Sequence, residues 1–346
     1  MRTILSQCVA GLQDVALRAL QQDLSGVQPV HVEEGMIVYR TGDSVARLRA
    51  LPYLNNSFQV LQSIPAAGSM DRVLAAVVDD RAVDTALRGG TNERERSFRV
   101  FLSDENELVS GAPALVSRLR RKIEDATRLK FQPARADVQF WLIRRRSGRA
   151  FFARRLTQRA RTEKDLAQGE LRPELAHLLC RLSEPGAEDV FLDPFAGTGS
   201  IPFARIQYPY GLVYAFDQDE GAVAFMKDRL KALPANEKHR ARKLIVKQAD
   251  ALALDRIQDG FVDRVVTDPP WGLFRELPDV DAFYAAALRE LARVTRPGGI
   301  VVLLTAQKEL TGSLLAQPGH ALAEEERYDL LVAGKKAAVF KLRRAA

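Results

Sequence analysis

Between Val190 and Leu342 the chain alternates short β-rich runs with helical stretches, and nothing else in it narrows the fold as much. The runs are Val190 to Asp193, Val213 to Asp217, Leu244 to Ala249, Arg264 to Thr267 and Ile300 to Thr305. Strands separated by helix-length crossovers assemble as a mostly parallel sheet with right-handed connections. The end of the chain breaks that rule. Tyr328 to Val332 and Ala337 to Leu342 are joined only by Ala333-Gly334-Lys335, too short for a helical crossover, so these two runs must pair antiparallel. The expectation is an α/β, Rossmann-like, mostly parallel seven-stranded sheet that closes on an antiparallel hairpin, spanning residues 173–346.

The first run ends in Asp193-Pro194-Phe195-Ala196-Gly197-Thr198-Gly199-Ser200, a strand, a carboxylate, a glycine-containing turn and a helix start. In an open α/β sheet ligands bind at the carboxyl ends of the strands. Glycines let the backbone approach a ligand, and a helix start favours a carboxylate. A dinucleotide fingerprint wants a third glycine where Pro202 stands, and Asp193 suits a ligand with an amino group and a sulfonium better than a pyrophosphate. The second run ends in Asp217, roughly twenty residues on, where a carboxylate can accept both hydroxyls of a ribose. Asp219 reads as the cap of the following helix. Asp250, after the third run, either accepts from an adenine amino group or is only a turn residue.

Directly after the fourth run comes Thr267-Asp268-Pro269-Pro270-Trp271-Gly272. Two prolines stiffen the chain and remove two N–H donors, leaving carbonyls free to face a ligand. An exocyclic amino group is a poor nucleophile because its lone pair is delocalised into the ring. Asp268 and the Pro269 carbonyl are suited to hold its protons and aim that lone pair, and Trp271 offers a flat surface for a base. Taken alone, Asp-Pro-Pro is also a helix-stopping turn. Behind Asp193, Asp217 and Asp250 in order, it reads as in-line transfer of a methyl group to nitrogen, in which alignment lowers the barrier and no covalent intermediate forms.

At 346 residues the chain has room for two or three domains. The first part reads as two α+β units: residues 1–62, with a strand Thr3 to Val9, a helix Leu12 to Leu24, a strand Val30 to Tyr39 and a helix Ser44 to Ala50, and residues 63–157. The second unit carries helices near Ser69 to Asp79 and Ala112 to Thr127, and strands Ser97 to Ser103, Val138 to Ile143 and Ala150 to Arg155. Residues 158–172 read as a linker. The formal charge is +7, which favours an anionic partner. Arg144, Arg145, Arg146, Arg149, Arg154, Arg155, Arg159 and Arg161 fall together with no acid among them, around a Ser147-Gly148 turn. They form either a contact for nucleic-acid phosphates or a solvated face of a strand pair. Cys8 and Cys180 have neither disulfide nor zinc spacing, so no metal is expected. No apolar run reaches the length of a signal peptide or a membrane span, making a cytoplasmic monomer the default expectation.

The pairing of Asp193-Pro194-Phe195-Ala196-Gly197-Thr198-Gly199 with Asp268-Pro269-Pro270-Trp271 resembles RNA guanine N2-methyltransferases that carry a THUMP domain. The opening strand with Gly11-Leu12-Gln13-Asp14-Val15-Ala16 is similar to the start of their ferredoxin-like domain, and Phe98-Arg99-Val100 through Phe152 to their THUMP unit. The resemblance implies S-adenosyl-L-methionine as cofactor, held by residues 193–199 with Asp217, Gln218, Asp250, Ala251 and Asp268. It implies a catalytic Asp268-Pro269-Pro270-Trp271 and an RNA-gripping arm to which Arg144, Arg145, Arg146, Arg149, Arg154 and Arg155 belong. Trp271 stands where the family often has tyrosine or phenylalanine. The substrate it implies is RNA, first tRNA. Ribosomal RNA is the nearest alternative, and a catalytically silent RNA-binding or assembly factor is the alternative of another class.

Overall fold

The computed structural model describes residues 1–66, 68–89, 94–157, 170–272 and 277–345. Its contacts divide the chain into two compact units, residues 1–7 with 20–160 and residues 8–19 with 161–346. Arg159, Arg161 and most of the expected linker lie outside the described residues.

The first unit is built on one sheet. Its strands are β1 (Arg2–Gln7), β2 (Gln28–Glu33), β3 (Met36–Thr41), β4 (Asn56–Ile64), β5 (Ser97–Asp104), β6 (Glu107–Leu108), β7 (Lys130–Phe131), β8 (Val138–Arg144) and β9 (Ala150–Arg155). The order is β2-β3-β1-β4-β9-β8-β5-β6, with β7 beside β5. The sheet is continuous across residue 62, because Val60 to Ile64 of β4 pair with β9. The single strand expected over Val30 to Tyr39 is a hairpin instead. Gly35 takes φ +70°, a conformation open to glycine, and turns the chain there. Helices Met70–Asp79 and Pro113–Thr127 cover one face of this sheet through Val73, Leu74, Val77, Leu119 and Ile123, all buried.

The second unit contains β10 (Val190–Asp193), β11 (Leu212–Asp217), β12 (Leu244–Gln248), β13 (Val262–Thr267), β14 (Thr295–Thr305), β15 (Leu322–Val332) and β16 (Lys335–Arg344). They order as β12-β11-β10-β13-β14-β16-β15. The pairs from β12 through β14 are parallel, whereas β16 runs antiparallel to both neighbours. The expected seven-stranded sheet with an antiparallel last hairpin is therefore present. Leu192, Val265, Val301 and Leu303 are at most 2% exposed, and full burial of such a side chain is worth about 1.5–3 kcal/mol. β10 and β14 are buried at consecutive positions, because both faces of the sheet are covered.

This strand order positions the site. From β10 the chain winds outward through β11 to β12, then returns to lay β13 on the other flank of β10. A reversal of that kind opens a crevice at the carboxyl ends of the two central strands. The loops after β10 and β13 both begin there. No helix among the described residues is long and apolar enough to cross a membrane.

Candidate active site

Asp193 ends β10 with no exposed surface. Its Oδ1 accepts from the Thr267 hydroxyl at 2.8 Å and from the Phe195 N–H at 3.3 Å. Its Oδ2 is buried and has no partner. Burial, reinforced by the nearby Asp268 and Asp217 carboxyls, holds Asp193 well above the ordinary carboxylate range despite these two donors. A buried acceptor left over, on an acid that resists ionising alone, is what a cationic amino group would satisfy.

The following loop is shaped by its glycines. Gly197 adopts φ +52° and has open space where a side chain would stand. Gly199 adopts φ +87°, and a methyl group there would lie 2.8 Å from the Phe203 ring. The Ala196 N–H reaches the Phe216 carbonyl at 2.8 Å, tying the loop to β11. Pro194 is buried, Phe195 packs 5.8 Å from the Phe283 ring, and the Thr198 carbonyl accepts from Arg229 at 3.3 Å. The Ser200 hydroxyl that opens the next helix is a second buried polar atom without a partner.

Asp217 stands at the end of β11 and accepts the Gly197 N–H on Oδ2 at 2.8 Å and the Asp219 N–H on Oδ1 at 2.9 Å. A carboxylate oxygen has a second lone pair, so both oxygens keep capacity for a ligand hydroxyl. Asp219 caps the helix Glu220–Lys231 through the Ala222 N–H at 2.8 Å, the structural role its position suggested. Gln218 is exposed, and its carbonyl accepts from the Gln248 side chain at 2.9 Å. Asp250 is exposed and turns the chain, accepting from the Leu252 N–H at 2.9 Å, while Ala251 beside it is buried. The turn role is the one these contacts express; the second Asp250 oxygen remains available.

The loop after β13 is fixed on three sides. The Tyr284 hydroxyl, 1% exposed on helix Val280–Val294, bonds Thr305 Oγ1 at 2.7 Å and the Pro270 carbonyl at 3.3 Å. Gln307 Nε2 donates to the Trp271 carbonyl at 2.6 Å. Gly272 then turns at φ +74°. The carbonyls of Pro270 and Trp271 are thus engaged. Asp268 is half-buried, and its Oδ1 accepts from the Trp271 indole N–H at 2.8 Å. Removal of water pushes the Asp268 carboxyl up to about 7, an effect the indole bond opposes. Thr267 opens the proline motif, although the sequence assigned it no role; Tyr284 and Gln307 come from distant segments with no local mark and were not singled out.

Within the arginine run, Arg144, Arg145, Arg154 and Arg155 are engaged with other residues of the first unit. The turn exists as expected, with Gly148 at φ +79°. Arg144 pairs with Asp104 at 2.8 Å. Arg145 is 8% exposed, pairs with Glu33 at 3.1 Å and donates to the Glu34 carbonyl at 2.6 Å. Arg154 pairs with Glu95, and Arg155 donates to the Thr157 carbonyl, Gln139 and Asn56. Apart from the Thr157 carbonyl, their partners come from other elements, so a run of like charge in sequence did not reveal them. Arg146 keeps 89% of its side chain exposed, with Glu105 at 3.4 Å, and Arg149 is half-buried.

A parallel sheet closed by an antiparallel hairpin, with an acid-glycine loop and an Asp-Pro-Pro-Trp turn at its switch point, defines a methyltransferase domain. The chain belongs to the family described as RMKL-like methyltransferases (UPF0020), whose domain matches residues 159–207 and 203–330. The protein of Thermus thermophilus named tRNA (guanine(6)-N2)-methyltransferase is 32% identical over 232 residues, 65% of this chain and 67% of that one. The Bos taurus protein named tRNA (guanine(6)-N(2))-methyltransferase THUMP3 is 32% identical over 186 residues, 50% of this chain. The match spans only 36% of that relative's own length. Among solved structures, TrmN from Thermus thermophilus has the same fold, with a TM-score of 0.77 and 24% identity over 99% of this chain and 100% of that one.

Proposed function

We propose that the chain transfers a methyl group from S-adenosyl-L-methionine to the exocyclic N2 of a guanosine in tRNA. The observation that carries this reading is Asp268: a carboxylate on a proline-stiffened turn, one oxygen held by Trp271, tied through Thr267 to the loop that would hold the methyl donor. Asp193 supplies a buried acceptor for the donor's amino group and Asp217 acceptors for its ribose, while residues 194–199 line its approach. Gln218, Asp250 and Ala251 flank the position its base would take. The donor, when bound, supplies a methyl group on a positively charged sulfur. Asp268 and the Pro269 carbonyl accept the two amino protons of the guanine, which leaves the nitrogen lone pair directed away from them and toward the methyl group. As nitrogen becomes tetrahedral and positive, its proton becomes acidic and Asp268 is the nearest base to receive it. The Trp271 ring offers a face on which the base can stack.

The relatives' printed names support tRNA over ribosomal RNA as the substrate. We read residues 1–62 and 63–157 as the ferredoxin-like and THUMP-like parts of an RNA-holding arm, 158–172 as its link, and Arg146 with Arg149 as the side chains of the hairpin open to phosphates. The test is incubation with isotopically labelled S-adenosyl-L-methionine and unmodified tRNA, followed by digestion and mass spectrometry. Labelled N2-methylguanosine is the expected product. Label in another nucleoside, or none with donor binding intact, overturns the assignment.

A further inference from the structure

We propose that Trp271 is a positioning residue that acts through the edge of its ring: the indole N–H holds one oxygen of Asp268 and so decides which oxygen meets the substrate amino group. This rests on the reading of Asp268 just given. The bond is 2.8 Å long and ends on Oδ1. An indole N–H only donates, and a phenylalanine ring at the same place has nothing to give. The ring is held by its own backbone, since the Trp271 carbonyl is bound by Gln307 and the preceding carbonyl by Tyr284. With Oδ1 engaged, Oδ2 is the oxygen left to accept an amino proton, so the carboxylate has one working orientation rather than two. The N–H also favours the charged form of Asp268 against the burial that opposes it. Of the titratable groups that face Asp268, Tyr284 stays neutral because burial pushes its hydroxyl up. Asp193, one strand away on β10, is a second carboxyl whose titration has to be told apart. Thr305 and Gln307 carry no charge.

The chain has two tryptophans, and the other, Trp141, donates its N–H to the neutral Gln139 side chain at 3.3 Å. Proton–nitrogen correlation spectra of the full chain therefore contain two indole signals, and Trp271→Phe identifies which belongs to Trp271. The expected result is that this signal moves with pH around neutrality in the native protein, while the Trp141 signal does not, and that Asp268→Asn abolishes the movement. In methyl transfer to tRNA, Trp271→Phe should shift the acid limb of the kcat profile upward by about one pH unit with little change in KM for tRNA. Trp271→Ala should raise KM as well. An indole signal that does not titrate, or that titrates unchanged in Asp268→Asn and so reports Asp193, overturns the proposal. So does an unmoved acid limb in Trp271→Phe. Should the native protein fail to methylate tRNA, the functional reading fails, and the indole titration still decides the bond.

Discussion

Replacing Thr267 with valine keeps the shape of a fully buried side chain and deletes one hydroxyl, the donor 2.8 Å from Asp193. A hydrogen bond to a charged group contributes about 1.5–3 kcal/mol, and a unit of this size loses about 2–4 °C of Tm per kcal/mol. Where the Asp193 carboxyl is ionised the variant should therefore melt about 3–12 °C lower. The pH dependence is the sharper part. Burial holds Asp193 above its unfolded value, so the group favours folding most below the ordinary carboxylate range, and that contribution is lost as pH rises toward the folded value. Removing a donor to the carboxylate raises the folded value further. The deficit must then grow with pH, because the missing bond is worth about 1 kcal/mol to a neutral carboxyl and more to a charged one. Urea unfolding at pH 5 and pH 8 measures both, with Trp141→Phe as background so that Trp271 fluorescence reports the second unit. Equal deficits at the two pH values, or none at either, would refute the account of Asp193.

Other expectations follow from the same geometry. Asp268→Ala should abolish methyl transfer while S-adenosyl-L-methionine still binds by calorimetry; retained turnover would remove Asp268 from the chemistry. Asp217→Ala leaves the Gly197 and Asp219 N–H groups without their acceptor, and donor affinity should fall at least tenfold, a loss of about 1.4 kcal/mol. Arg145→Ala takes from Glu33 its guanidinium partner, leaving His31 at 3.4 Å, and should cost about 3 kcal/mol of first-unit stability, whereas Arg146→Ala should leave the melting temperature unchanged and lower the salt slope of tRNA binding by about 1. If both arginine variants behave alike, the distinction between buried and exposed cations in the hairpin is wrong.

The sheet of the second unit was legible because its strands combine β-branched runs with sharp endings, and because the Ala333-Gly334 turn leaves β15 and β16 one way to pair. Asp193, Asp217 and Asp268 could be located since each ends a strand, or directly follows one, at the same sheet edge. Gly35 was harder to weigh, because a lone glycine after two glutamates marks a turn only once its φ is known. β4 was missed because Asn56, Gln59, Gln62 and Ser63 interrupt its apolar pattern. The arginine hairpin shows the limit of charge counting: Glu33, Asp104 and Glu95 lie 40 to 112 positions from the arginines they meet, and the fold alone brings them near. Tyr284 and Gln307 likewise acquire their meaning only when the helix and the segment after β14 close on the proline turn.

The reversal of strand order between β10 and β13 has a consequence for how such a domain can be rebuilt. Because the two loops share a hydroxyl-to-carboxylate bond across neighbouring strands, they form one cassette with a common register. A chimera that borrows the glycine loop from a relative but keeps its own proline turn risks importing an acid without its donor. The two loops are therefore better exchanged together, Asp193 moving with Thr267, than either alone.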